Sequence, residues 1–305
     1  MKPRVLITGS NGLLGQKLVR LYLDKADCDL IATSRGANHL PIPETHYKYR
    51  SMDITNAQEV SKVISEVTPN IVIHTAAMTH VDHCFQDKPG CLRLNVEAVG
   101  HVIEACKRAD AFLLHLSTDF IFDGESGPYD ENAPANPVNF YGESKLQAEQ
   151  LIRNSGLNWA MVRTVLVYGI AHDMSRSNII LWVKKSLEAG KAIRVVDDQL
   201  RTPTLAEDLA MGCYLIAQKR ARGVFNIAGK DLLTPYEMAQ KAAVFFNLDT
   251  SLMSRTNASE FVEIDKRPLK TGLLIDKAQK ELGFEPHTFD KGIAVVAAQM
   301  QGKTD

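Results

Sequence analysis

The sequence predicts an α/β protein built on a doubly wound parallel sheet, with a smaller, partly interleaved C-terminal lobe. Two observations support this fold class. Short apolar runs alternate with amphipathic stretches through the first half of the 305 residues, as they do where parallel strands are joined by crossover helices. In addition, a glycine-rich turn stands between the first predicted strand and the first predicted helix.

The first strand and helix frame a nucleotide-binding turn. Residues 4–8 form a short apolar run, residues 16–25 have helical spacing, and Gly9-Ser-Asn-Gly12-Leu-Leu-Gly15 lies between them. Glycines let the backbone approach a pyrophosphate closely, and the helix N-terminus supplies amide donors and the positive end of a dipole. The turn therefore indicates a Rossmann-type dinucleotide site, although a tight turn without a ligand is the alternative.

The end of the second strand bears on the choice of cofactor. NAD-specific sites usually place an acidic residue there, about twenty residues beyond the glycines. Residues 33–36 contain no acid, and Ser34 is followed by Arg35. An arginine can pair with a 2′-phosphate, so we expect NADPH in preference to NADH. The alternative is that Arg35 is only solvated.

The remaining elements follow the same alternation up to Gly169 and then change order. We divide the chain into an NAD(P)-binding domain over residues 1–169, to which 192–228 return in part, and a substrate-binding lobe mainly over 170–305. The predicted elements are, in order, strand 29–33, helix 56–67, strand 70–74, helix 95–108, strands 111–116 and 161–168, helix 177–189, strand 192–196, helix 205–219, strand 224–228 and a helix opening at Thr234-Pro235.

Candidate catalytic residues are Tyr141 and Lys145, which share a face if the segment is helical. A lysine ammonium beside a phenol stabilises the phenolate, so we expect the pKa of Tyr141 to be lowered toward neutrality. Such a pair can protonate a carbonyl oxygen while hydride reaches the carbon. Thr118 follows a predicted strand, at the sheet edge where ligands bind, and can orient the carbonyl; a capping role is the alternative.

Composition excludes several other classes of function. The net charge of −1 gives no electrostatic basis for binding nucleic acid or an anionic membrane, and no apolar run reaches membrane-spanning length. Five scattered cysteines indicate reduced thiols in the cytoplasm. His80, His83 and Cys84 superficially resemble a metal cluster, but a structural zinc site needs four ligands, and we expect no metal.

Taken together, these residues resemble the extended short-chain dehydrogenase/reductases, and more closely their dTDP-4-dehydrorhamnose reductase group. The resemblance covers nearly the whole chain. Its motifs are Thr8-Gly-Ser-Asn-Gly-Leu-Leu-Gly15, Asp53-Ile54, His74-Thr-Ala-Ala-Met-Thr-His-Val-Asp82, Asn95-Val96, Ser117-Thr-Asp-Phe-Ile-Phe-Asp-Gly124, Tyr141-Gly-Glu-Ser-Lys145, Arg163-Thr-Val-Leu-Val-Tyr-Gly169, Asp198-Gln-Leu-Arg-Thr-Pro-Thr204 and Arg267-Pro268.

The resemblance implies a reductase that transfers hydride from NAD(P)H to the C4 ketone of a nucleotide-linked deoxysugar. It implies Tyr141 as general acid, Lys145 as the residue that tunes it and holds the nicotinamide ribose, and Thr118 as the hydroxyl that orients the carbonyl. Asp119, Arg201 and Arg267 are expected on the substrate side. The expected cofactor contacts are Gly9, Ser10, Asn11, Gly12, Leu13, Leu14, Gly15, Ser34, Arg35, Asp53, Ile54, Ala76 and Ala77, together with Tyr141 and Lys145.

Departures from the family pattern lie on the substrate side. Arg201 stands where the family often has a small residue, and it can either grip a diphosphate or serve as a structural arginine. Two rival functions remain open. One is a nucleotide-sugar epimerase on the same fold; a dehydratase is disfavoured because Phe120, not Glu, follows Asp119. The other is a regulatory subunit resembling the β subunit of methionine adenosyltransferase. The family also allows a homodimer.

Overall fold

The computed structural model describes residues 2–173, 177–260 and 265–302. Within these residues the strands are β1 Arg4–Thr8, β2 Asp29–Ser34, β3 Lys48–Ser51, β4 Ile71–His74, β5 Phe112–Thr118, β6 Trp159–Thr164, β7 Val167–Tyr168, β8 Ile193–Val196, β9 Thr204–Leu205, β10 Gly223–Asn226 and β11 Met253–Thr256. The helices are α1 Leu13–Lys25, α2 Ala57–Val67, α3 Val81–Gln86, α4 Lys88–Leu92, α5 Ala98–Ala109, α6 Phe140–Arg153, α7 Ile179–Glu188, α8 Ala206–Lys219, α9 Pro235–Phe245, α10 Asp276–Leu282 and α11 Phe289–Met300.

The central sheet has seven strands, all parallel, in the order β10-β6-β5-β4-β1-β2-β3. Strand β1 lies between β2 and β4, so the strand order reverses at this point. Ligands of open α/β sheets bind beyond the carboxyl ends of the strands at such a reversal. The predicted fold class, a Rossmann-type doubly wound sheet, is confirmed.

Helices cover both faces of the sheet. One face packs on α1, α8 and α10 through side chains such as Leu18, Leu209 and Leu282. The other face packs on α2, α5 and α6 through a second cluster that includes Val102 and Ile152. Because both faces are buried, central strands such as β1 and β4 are largely apolar instead of alternating. Each large side chain buried there stabilises the fold by about 1.5–3 kcal/mol.

A third hydrophobic cluster forms the C-terminal lobe. It joins α7, α9 and α11 to β8 through side chains that include Ile180, Val183, Met238 and Ile293. Strand β8 pairs with β11 in a separate two-stranded parallel sheet, whereas β10 lies at the edge of the central sheet. Residues 192–228 thus contribute elements to both sheets. The division into two domains remains a prediction.

Three differences from the sequence-based expectations have a local structural cause, while β3, β11, α10 and α11 are not among the predicted elements at all. The expected strand 161–168 is two strands, because Leu166 adopts a positive φ of 41° and β7 turns away to pair with β9. Helix α1 begins at Leu13, inside the glycine turn, and not at residue 16. The expected helix 95–108 is continuous with α4 through a π-helical turn, Arg93–Glu97.

Candidate active site

One large cavity opens at the carboxyl ends of the central strands and extends against the C-terminal lobe. Its volume is about 1470 Å³. Every residue predicted to bind cofactor or substrate, or to act in catalysis, lines it, with the exception of Ser10. The structure therefore brings together residues that are up to 258 positions apart in sequence, from Gly9 to Arg267. The individual roles remain predictions.

The glycine turn fits a dinucleotide. Gly9 has a φ of +69°, and a Cβ on it would lie 2.9 Å from the Ala76 amide nitrogen. A Cβ on Gly15 would lie 2.3 Å from the Gly9 carbonyl oxygen, so only glycine permits this close packing of helix on turn. The N-cap of α1 is Gly12, which has no side chain to cap the first-turn amides. These amides lie at the cavity, where a pyrophosphate can accept from them.

Ser10 lies behind the turn and does not line the cavity. Its side chain is fully buried, and its Oγ has no hydrogen-bond partner among the described residues. A buried hydroxyl without a partner is unfavourable by about 1–3 kcal/mol.

Arg35 and Asp53 lie near each other and both line the cavity. Arg35 is exposed and follows the end of β2. Partial burial acts to raise the pKa of Asp53, but hydrogen bonds from the Thr55 amide and hydroxyl, with Arg35 nearby, bring it below its ordinary value. Asp53 is therefore charged at neutral pH.

The predicted catalytic side chains converge where α6 meets β5. Asn139 caps α6 by accepting from the Gly142 amide at 2.8 Å, which places Tyr141 in the first turn. Thr118 is the last residue of β5, and its hydroxyl donates to Asp119 Oδ1 at 3.1 Å. The Tyr141 hydroxyl shares a hydrogen bond with Thr118. Both hydroxyls line the cavity.

Burial dominates the ionisation of Tyr141. The phenol is removed from water, which raises its pKa well above the ordinary value, and the Thr118 hydrogen bond only partly offsets this rise. The expectation that Lys145 lowers this pKa is therefore wrong for the structure as it stands. The physical reason is that desolvation disfavours the phenolate more than its neighbours favour it.

Lys145 is held by a histidine and a carbonyl. Its Nζ donates to the Leu116 carbonyl at 2.6 Å and lies 3.2 Å from His115 Nε2. Burial lowers the pKa of Lys145 to about 8. His115 stacks on His74 with ring centroids 5.3 Å apart, and burial lowers the pKa of His74 to about 3.

Sequence analysis missed this histidine pair. Both rings are about 1% exposed and stand on neighbouring strands in register. The sequence does contain a sign of them, since each histidine is a polar residue within an otherwise apolar strand. A contact between strands that are 41 residues apart in sequence is not visible without the strand order.

The three residues expected on the substrate side are engaged by the protein itself. Asp119 accepts from the Thr271 hydroxyl, and burial raises the pKa of Asp119 to about 6 although Arg201 opposes the rise. Arg201 is buried and donates to the carbonyl oxygens of Pro268 and Leu269 at 2.5 and 2.6 Å.

These contacts join two segments of the chain through Arg201, which also lines the cavity, so its role on the substrate side stays a prediction. Arg267 donates to both carboxylate oxygens of Asp82, at 2.9 and 3.1 Å. Arg267 also lines the cavity and thereby links residue 82 of the first half of the chain to the C-terminal part.

The segment that resembles a metal site has other contacts. His80 and His83 stack with ring centroids 4.1 Å apart, and the buried Cys84 thiol donates to the Met78 carbonyl. Over residues 2–173, 177–260 and 265–302 there is no grouping of three or more His, Cys, Asp or Glu side chains able to hold a metal ion. In the same residues, every helix is too short or too polar to cross a membrane.

Comparison with known proteins identifies a family and several relatives of this chain. Residues 2–301 match the RmlD substrate binding domain. A probable low-salt glycan biosynthesis reductase of Haloferax volcanii is 28% identical over 294 residues, which cover 96% of either chain. The methionine adenosyltransferase 2 subunit beta of Bos taurus is 30% identical over 253 residues, which cover 81% of this chain and 73% of that protein.

A solved structure shows the same similarity in three dimensions. The dTDP-4-dehydrorhamnose reductase of Bacillus anthracis, in complex with NADP, superposes with a TM-score of 0.83 at 25% identity. The match covers 98% of this chain and 100% of that one, so it includes both the sheet and the C-terminal lobe.

Proposed function

The chain belongs to the RmlD substrate binding domain family, and we propose that it is an NADPH-dependent reductase of the 4-keto group of a nucleotide-linked deoxysugar. One observation carries the proposal. Thr118, Tyr141 and Lys145 meet in a single cavity with the glycine turn that fits a dinucleotide. When bound there, NADPH supplies the hydride. The residues of the chain bind the substrate, orient its carbonyl group and protonate the carbonyl oxygen.

The two hydroxyls act on the substrate carbonyl. Thr118 and Tyr141 share a hydrogen bond, so a carbonyl oxygen placed between them can accept from both. Polarisation of the carbonyl makes its carbon a better hydride acceptor. Burial holds the proton on Tyr141 at neutral pH, and the alkoxide formed by hydride addition is a stronger base than the phenolate. The proton therefore moves from Tyr141 to the alkoxide.

Lys145 sustains this transfer through its charge. Its ammonium is anchored by Leu116 and His115 on the same face of α6 as the phenol. A positive charge near the phenolate left by proton transfer stabilises it. The pKa of about 8 for Lys145 leaves most of the molecules charged at pH 7. Asp119, in contact with Thr118, orients that hydroxyl.

The lobe side of the cavity supports a nucleotide-linked sugar. Trp182 is about two-fifths exposed and lines the cavity together with Asn178 and Arg194. An exposed indole offers a flat apolar face to a base, and an arginine suits a diphosphate. We assign these three residues, with Arg267, to the nucleotide part of the substrate.

The deciding experiment follows the oxidation of NADPH and, separately, NADH, with dTDP-4-dehydro-6-deoxy-L-mannose generated in place from dTDP-glucose. Turnover of this sugar with NADPH supports the proposal in full. Binding of NADPH without turnover would exclude this sugar and send the search to other 4-keto sugars. Failure to bind either cofactor would overturn the proposal.

A second candidate is a regulatory subunit. It is favoured by the 30% identity with methionine adenosyltransferase 2 subunit beta. The two candidate functions differ in whether they need the Tyr141 hydroxyl, because a subunit that only binds a partner does not require it. If partner binding were the function, Tyr141→Phe would leave it unchanged, whereas a reductase would lose turnover.

A further inference from the structure

The loop that carries Arg35 is wrapped around a single phenol. The Tyr49 hydroxyl, from β3, lies 3.2 Å from the Ser34 carbonyl oxygen, 2.9 Å from that of Gly36 and 3.1 Å from that of Ala37. Three carbonyl groups of one short loop, those of Ser34, Gly36 and Ala37, therefore converge on one donor. A hydroxyl has a single proton, so this proton is shared among the three acceptors and draws the loop into one conformation.

Two further side chains hold the same loop. Asn11, in the glycine turn, donates to the Ala37 carbonyl at 2.9 Å and accepts from the His39 amide at 3.1 Å. The Oγ of Ser51, the last residue of β3, accepts from the Gly36 amide at 3.2 Å. Asn11 also hydrogen-bonds the Tyr49 hydroxyl. The pyrophosphate turn and the loop after β2 are thus joined through Tyr49.

Tyr49 acts from outside the cavity. Ser34 and Arg35 line the cavity, while Tyr49 packs its ring on the core below the loop. Arg35 itself is exposed, so the conformation of its backbone decides where its guanidinium points. A long side chain on an unfixed loop would lose freedom when it binds an anion, and that loss weakens binding.

We propose that Tyr49 is a positioning residue that sets the preference for NADPH, because it holds the Ser34–Ala37 loop in the conformation in which Arg35 meets the 2′-phosphate. The inference rests on the cofactor assigned in the proposed function. NADH has no 2′-phosphate and makes no use of Arg35 in this way. Loosening the loop therefore weakens the binding of NADPH and leaves the binding of NADH almost unchanged.

The test measures the dissociation constants of NADPH and NADH by calorimetry, without any sugar, on the full chain. Tyr49→Phe removes only the hydroxyl and keeps the half-buried ring in place. It should weaken NADPH by about 3- to 10-fold, which corresponds to one neutral hydrogen bond, and should change NADH by less than about twofold. Tyr47→Phe is the matched control, since its hydroxyl bonds Asn38 and the Ile42 carbonyl, beyond the Ser34–Ala37 loop.

A double-mutant cycle separates positioning from simple loss of stability. Arg35→Ala should weaken NADPH by about 10- to 100-fold, as expected for a charge-assisted contact. Adding Tyr49→Phe to Arg35→Ala should then cause no further loss, because the two residues act through one contact. Ser51→Ala, which removes another tether of the loop, should repeat the selective effect on NADPH.

The possible failures differ in meaning. If Arg35→Ala selectively weakens NADPH but Tyr49→Phe does not, or if the two effects add, the role of Tyr49 is overturned and the proposed function stands. Equal weakening of NADPH and NADH by Tyr49→Phe also overturns it, since that is a general loss of structure. If the natural chain binds neither cofactor, the proposed function fails and this inference fails with it.

Discussion

Tyr141 is enclosed on several sides. Its ring packs edge-on against Phe120 with centroids 6.0 Å apart, the buried thiols Cys84 and Cys91 lie in the same cluster, and Thr118 shares its hydroxyl hydrogen bond. The phenol is therefore fixed before any ligand arrives. A fixed acid whose pKa is raised by burial keeps its proton at neutral pH and releases it only to a strong base such as an alkoxide.

Removal of the Tyr141 hydroxyl should abolish chemistry while cofactor binding survives. Tyr141→Phe keeps the ring in its cluster, so we expect turnover to fall by about 10²- to 10⁴-fold, the usual contribution of an acid-base group. The dissociation constant of NADPH, measured by calorimetry, should change little. Unaltered turnover in this variant would contradict the role of Tyr141, whichever sugar is the substrate.

The carboxyl of Asp119 should affect stability in a pH-dependent way. Burial raises its pKa from 3.8 to about 6, so between these values the native state binds more protons than the unfolded state. Stability from this group is then highest in acid and falls as the pH rises through about 6. Asp119→Asn removes this titratable carboxyl. As the pH rises from 4 to 7, the unfolding free energy of the variant should therefore increase by about 2–3 kcal/mol relative to that of the natural chain.

Urea unfolding at a series of pH values measures this difference. The absolute stability of Asp119→Asn also changes through its bonds to Thr118 and Thr271, so the slope with pH is the informative quantity. Parallel curves for the two proteins would mean that Asp119 titrates alike in the native and unfolded states.

At the scale of elements, the N-terminal part of α6 brings the proposed catalytic residues together. It carries Tyr141 and Lys145, and it lies so close to the turn after β5 that a Cβ on Gly142 would meet the Phe120 carbonyl oxygen at 2.1 Å. Helix α6 thus sits at a distance that only glycine allows. That distance fixes how far the phenol stands from Thr118.

Gly142→Ala should therefore push α6 away from β5. We expect a loss of about 1–3 kcal/mol of unfolding free energy, as for other overpacked sites, and a fall in turnover larger than any change in NADPH binding. Gly100→Ala is the matched control, because Gly100 lies inside α5 with open space around it. Alanine there should stabilise the helix by about 0.5–1 kcal/mol. The two variants are compared by urea unfolding; equal effects would refute the close approach at Gly142.

Local patterns in the sequence predicted most of the longer elements, and they also pointed to residues that the structure brings together in the cavity. The turn from Gly9 to Gly15 is visible as a spacing of glycines between a strand and a helix. The pair Tyr141 and Lys145 is visible as a four-residue spacing within one helix. The break at Leu166 was missed because its cause is the pairing of β7 with β9. Hydrogen bonds such as that of Thr271 to Asp119 cross 152 residues, and no local pattern encodes them.

At the scale of the whole molecule, the site lies between two cores. The sheet supplies the glycine turn, β5 and α6, while the lobe core of α7, α9 and α11 supports the other wall of the cavity. Several ionisable groups are buried in or beside the cavity: Asp119 and Lys145 line it, and Glu149 accepts from Ser117, which lines it. Glu149 is paired with Arg163 at 2.8 Å. The stability of the fold must therefore depend on pH through the site itself.

The buried histidine pair should make the protein sensitive to acid. The pKa of His74 is about 3 in the native state against an ordinary 6.5, and that of His115 is also well below its ordinary value. Between pH 6.5 and about pH 3 these histidines are protonated in the unfolded chain but not in the native state. The unfolding free energy therefore decreases as the pH falls through this range. The sign is opposite to that of Asp119, so the total curve alone does not separate the two groups.

Comparison with a variant separates them. His74→Asn can keep the hydrogen bond to Thr8, which His74 Nδ1 makes at 2.8 Å, and it has no proton to gain. Between pH 7.5 and pH 5 the natural chain should lose about 2 kcal/mol more unfolding free energy than this variant, as follows from 1.36 kcal/mol per pKa unit. The same change at the exposed His39 controls for the substitution itself. If urea unfolding gave the His74→Asn variant the same pH dependence as the natural chain, His74 would have to accept a proton in the native state, and the pair beside Lys145 would be a charged relay instead of a neutral support.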